Sequence, residues 1–105
     1  MDAVTVLRRE HIRIAQLFEE LEALPSRACL GRRAIVEEID RLVRRHIAVE
    51  CAHAGRSPRH DDRALQLLDE IAAMDCRSSR YVTRLAALRD ELSRHIRETS
   101  YAEVA

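Results

Sequence analysis

The chain has 105 residues, 47% hydrophobic and 34% charged, with eighteen basic residues balanced by eighteen acidic ones. That length supports one modest core, so a single domain over residues 1–105 is expected. Zero net charge and three aromatics without tryptophan exclude a nucleic-acid binder. No apolar run approaches the roughly 20 residues of a membrane span, and "MDAVTVLRRE" turns charged before a secretory leader could form, so a cytoplasmic protein without a membrane partner is expected.

Two glycines and two prolines leave no room for a linker, and abundant Ala, Leu, Glu and Arg favour helix throughout. The first predicted helix carries Val4, Leu7, Ile14, Phe18 and Leu21 at three- and four-residue spacings and is stopped by Pro25. The second, entered after Gly31, carries Ile35, Ile39, Leu42 and Val49. The third opens at "SPRHDD", where Ser57 suits an N-cap, Pro58 the first helical position, and Asp61 and Asp62 the positive end of the helix dipole. Its stripe runs Ala64, Leu67, Ile71, Met74. The fourth begins near "RSSR" and runs Tyr81, Leu85, Leu88, Leu92. Short connections make consecutive helices antiparallel neighbours, so the expected fold is all-α, an up-down-up-down four-helix bundle. Cys29, Cys51 and Cys76 lack C-x-x-C spacing and read as small buried fillers in a reducing compartment.

Each stripe, extended by its own period, reaches a histidine: His11, His46, His60 and His95, one per helix. His11 and His46 lie equally far from the turn between their helices, and His60 and His95 from theirs. All four can share one layer if the second helix stops soon after His53, because an extended residue retraces about 3.3 Å against the 1.5 Å rise of a helical one. Glu50 stands four residues after His46, on the same helical face. Four imidazoles and a carboxylate make a mixed nitrogen and oxygen donor set suited to iron, zinc, manganese or copper. Histidine and carboxylate ligands projecting from four facing helices are how di-iron centres are built in bundle cores.

In "REHIRIAQLFEELEAL", "RLVRRHIAVE" and "LRDELSRHIRE", the chain resembles the hemerythrin-like family, the HHE cation-binding domain, over nearly its whole length and in order. The resemblance implies a four-helix bundle around a non-haem di-iron centre bridged by carboxylates and an oxo or hydroxo group. It matches His11 to the ligand of the first helix, His46 and Glu50 to the H-x-x-x-E of the second, and His95 to the histidine of the fourth. Three departures stand out. Thr99 occupies the place of the second bridging carboxylate, with Glu98 as a substitute one residue early. The segment "CAHAGRSPRH" is shorter than the family's, which makes His60 the candidate third-helix ligand and His53 a secondary one. The chain also runs only a short way past its fourth histidine.

The expectation is therefore a metal-binding bundle holding one or two iron ions, or another divalent transition metal, through His11, His46, Glu50, His60 and His95, with Glu98 and His53 as secondary candidates. Dioxygen or nitric oxide is the expected small ligand, and the role is binding, oxidant sensing or iron handling more than catalytic turnover. Two alternatives come from other classes. One is a bundle that has lost its metal and serves as a structural or interaction module, which Thr99 and the short third-helix entry favour. The other is bis-histidine haem ligation.

Overall fold

The computed structural model describes residues 3–25, 27–53 and 63–99. Four helices follow one another: α1 (Ala3–Ala23), α2 (Cys29–His53), α3 (Arg63–Ala72) and α4 (Ser79–Thr99). No strand occurs among the described residues, so the all-α expectation holds. No helix among them is long and apolar enough to cross a membrane. The chain divides into two compact units, Met1–Pro58 and Arg59–Ala105, each containing one helical pair.

In the first unit, α1 ends just before Pro25, whose ring cannot continue the ladder. Beyond the proline, the Ala28 amide donates to the Pro25 carbonyl at 2.9 Å, and the Arg32 amide donates to the Ala28 carbonyl at 2.9 Å. The α2 ladder thus starts ahead of Gly31, correcting the expected entry after it. Gly31 lies inside the helix, where it costs about 1 kcal/mol relative to alanine without breaking the ladder. The buried Arg32 also donates from Nη2 to the Pro25 carbonyl at 3.4 Å, which ties the start of α2 to the turn.

The two helices are antiparallel. Near the turn Gly31 faces Leu24, and far from it His46 faces His11. Their buried side chains define a seam of alternating three- and four-residue steps. On α1 it runs Leu7, Glu10, Ile14, Leu17 and Leu21, and on α2 Val36, Ile39, Val43, His46 and Glu50, with Phe18, Ile47 and Cys51 buried alongside. This differs from the sequence reading by a rotation of each helix. Ile35, Leu42 and Val49 are half-buried flanks rather than the centre of the α2 stripe, and His11 is a half-buried flank on α1. Val4 lies on α1, with its side chain outside the described ones.

The second unit follows its expected stripes more closely. Ala64, Leu67, Leu68 and Ile71 are buried on α3, and Tyr81, Leu85, Leu88 and Leu92 on α4, while Met74 is half-buried in the turn. The connection is closed locally. The Arg77 amide donates to Asp75 Oδ1 at 2.9 Å, and Ser78 Oγ accepts from the Arg80 amide at 3.2 Å as the N-cap of α4. Glu70 links the pair, with Arg84 Nε 3.2 Å from one carboxylate oxygen and Arg63 Nη1 4.0 Å from the other. Cys51 is a buried free thiol. Cys76 is buried as well, whereas Cys29 is only half-buried.

Candidate metal centre

At the end of the first helical pair remote from Pro25, the apolar seam gives way to ionisable groups. Glu10 on α1 and His46 and Glu50 on α2 occupy positions where Leu, Ile or Val stands elsewhere, and all three are buried. An isolated charge in such a place costs far more than an apolar side chain gains there. These groups persist by bonding to one another.

His46 is the hub. Its Nε2 lies 2.9 Å from His11 Nε2 and 3.3 Å from Glu50 Oε2. The two imidazoles are 4.5 Å apart between ring centroids and tilted by 50°. On the other side of the ring, His46 Nδ1 lies 3.3 Å from Glu10 Oε1. The second oxygen of Glu10 accepts from Arg45 Nε at 2.8 Å, and Arg45 Nη2 stands 2.7 Å from the same oxygen. Arg45 is mostly exposed while the Glu10 side chain is 5% exposed, so the guanidinium caps a buried carboxylate from the solvent side.

The ligand atoms of His11, His46 and Glu50 all lie within 4.8 Å of one another. Ligands about 2.1 Å from one ion stand roughly 3.0 Å apart at a right angle and roughly 3.4 Å apart at the tetrahedral angle. The observed separations of 2.9 Å and 3.3 Å match those edges. Two imidazole nitrogens and a carboxylate oxygen this close together bring lone pairs against each other. Only a cation between them, a shared proton or a metal ion, makes all the contacts favourable. A set of two histidines and one carboxylate suits non-haem iron and leaves coordination positions open.

Of the other candidates from the sequence, His95 lies on α4 in the second unit and is half-buried. His53 is the last residue of α2, Glu98 lies near the end of α4 and Thr99 ends it; their side chains are outside the described ones. His60 falls outside the described residues. Sequence reasoning missed Glu10 and Arg45. Glu10 was detectable, because the series 7, 10, 14, 17, 21 is as regular as the one that includes His11.

Comparison with known proteins finds no family model, no curated protein and no solved structure that matches this chain.

Proposed function

We propose that the chain is a hemerythrin-like metal-binding protein that holds one or two non-haem iron ions and uses them to bind dioxygen or nitric oxide, to sense oxidants, or to handle iron. The observation that supports this reading is the convergence of His11 Nε2, His46 Nε2 and Glu50 Oε2 at separations suited to a single ion. Iron supplies the redox chemistry when bound; the chain supplies ligand geometry and a site screened from water. In this reading the two helical pairs close into an up-down-up-down bundle, and His95 and His60 extend the ligand set toward a second ion. Binding or sensing is proposed over turnover.

The same geometry does not favour His11 and His46 as the axial pair of a haem. Axial nitrogens on a haem iron stand about 4 Å apart across the ring, whereas His11 and His46 approach to 2.9 Å, a distance for neighbouring ligands. A cytoplasmic location belongs to the same proposal. Subcellular fractionation of the producing cells tests it.

The decisive experiment is anaerobic reconstitution with ferrous iron, followed by metal counting and an absorption spectrum in air. The expected result is about one to two iron ions per chain, with occupancy sharply reduced in His46→Ala. An iron-free parent protein would instead support the structural or interaction module.

A further inference from the structure

The metal-binding reading gives Glu10 no ligand role, yet Glu10 is among the most buried charged side chains described. Its placement is specific. Two adjacent α1 residues grip one α2 ring from opposite sides: Glu10 at His46 Nδ1 and His11 at His46 Nε2. Two adjacent α2 residues return the contact, Arg45 to one Glu10 oxygen and His46 to the other. Both carboxylate oxygens are therefore engaged, in a direction that leads away from the His11–His46–Glu50 cluster.

The position of the ring proton follows from these distances. With the proton on Nδ1, His46 donates to Glu10 Oε1, and Nε2 accepts the N–H of His11 at 2.9 Å. With the proton only on Nε2, a bare nitrogen would face the buried carboxylate of Glu10 at 3.3 Å, and two lone pairs would meet in a site with little water to separate them. The first arrangement opposes lone pairs only between His46 Nε2 and Glu50 Oε2, the edge that a cation fills. A metal-bound histidine that donates its other N–H to a carboxylate has its tautomer and ring orientation fixed by that bond.

We propose that Glu10, clamped by Arg45, is a positioning residue: it holds the proton of His46 on Nδ1 and so aims Nε2 at the metal. This inference rests on the metal-binding reading for its purpose, but not for its test.

The test uses the full chain labelled with ¹⁵N, with zinc as a diamagnetic probe. Long-range ¹H–¹⁵N spectra of the zinc-loaded protein should show the His46 proton on Nδ1 and zinc on Nε2. Zinc titrations should show Glu10→Ala binding at least tenfold more weakly than the parent, within the ~10–100-fold typical of partners behind a metal ligand. Glu10→Gln, whose amide oxygen still accepts an N–H, should bind more tightly than Glu10→Ala and move the Nδ1 proton signal upfield. That signal belongs to one hydrogen bond, so a purely structural role for Glu10 would not move it. If Glu10→Ala does not fold, Glu10→Gln and the parent spectrum carry the test. Parent-like zinc affinity in Glu10→Ala, or a proton found only on Nε2, overturns the proposal. Should the parent take up neither zinc nor iron, the metal-binding reading fails. The spectrum of the metal-free ring then decides alone: a proton on Nδ1 that responds to Glu10→Gln supports the positioning role, and a bare Nδ1 overturns it.

Discussion

Replacing Glu50 by glutamine separates the proposed metal-binding role of this side chain from its place in the packing. The substitution keeps the shape of a side chain that is 10% exposed and lies 3.3 Å from His46 Nε2, but exchanges an anionic oxygen for a neutral amide. We predict at least a tenfold loss of metal affinity, because one of the three donors described in the cluster loses its charge. Linkage converts that loss into a stability signature. With free zinc at a hundred times the parent's Kd, the parent gains about 2.7 kcal/mol of stability, whereas a tenfold weaker variant gains about 1.4 kcal/mol. For a chain of this size about 1 kcal/mol moves the midpoint by roughly 4–8 °C, so the zinc-induced rise in Tm should fall to about half. In the metal-free form the variant removes a buried negative charge, and its midpoint should equal or exceed the parent's. Thermal unfolding with and without zinc, followed by circular dichroism, measures both quantities. An undiminished zinc-induced rise in the variant would refute the assignment of Glu50 as a ligand.

Four further outcomes are expected. Gly31→Ala should raise the chemical-denaturation midpoint by about 0.5–1 kcal/mol, since the added Cβ meets only Leu24 Cδ1 at 3.7 Å and Ala28 Cβ at 3.9 Å; a lowered midpoint would mean that α2 needs glycine there. Leu17→Ala, at a position 1% exposed, should cost about 2–5 kcal/mol in urea unfolding, whereas Val82→Ala, at 55% exposure, should stay within about 0.5 kcal/mol of the parent. His60→Ala should weaken metal binding at least tenfold, or about 1.4 kcal/mol, while His53→Ala does little; the opposite ranking in a metal titration would place His53 in the ligand set. Thr99→Glu should tighten binding and favour two ions per chain, so unchanged stoichiometry would show that position 99 contributes no ligand.

The parts legible in the sequence were those where only one helical phase fits. On α4, Tyr81, Leu85, Leu88 and Leu92 recur at three- and four-residue steps and all four are buried, whereas Val82, which falls off that series, is exposed. On α1, Leu17 and Phe18 are both apolar and both buried, so two phases fit the spacing equally. The phase that includes His11 leaves out Glu10, because a carboxylate counts as a surface residue in any apolar pattern. The same bias shifted α2, where His46 and Glu50 take seam positions and Ile35, Leu42 and Val49 move to the flanks. The pairing of His11 with His46 survived the wrong phase because it depended on distance from the turn, which rotation about the helix axis leaves unchanged. The expected start of α2 differs from the observed one because a glycine reads as punctuation in the sequence, although the ladder from Ala28 runs through it.

The exchange of apolar for ionisable residues along one seam makes the two ends of the α1–α2 pair unequal in what binds them. Near the turn, Leu17, Leu21, Val36 and Ile39 are buried, and water is kept out whatever the solution contains. At the far end, Glu10, His46 and Glu50 interrupt that grip beside the buried Leu7, Ile47 and Cys51, so under the proposed metal binding a bound cation would add to the cohesion there. Amide hydrogen exchange should record this as a gradient that loading erases. Amides of α1 around Leu7–Ile14 and of α2 around Val43–Cys51 should open locally in the empty protein and slow when metal is added, while those beside Pro25 keep one rate throughout. The helical pair would then act as a clasp hinged at its turn, with occupancy of the site written into the lifetime of its outer end.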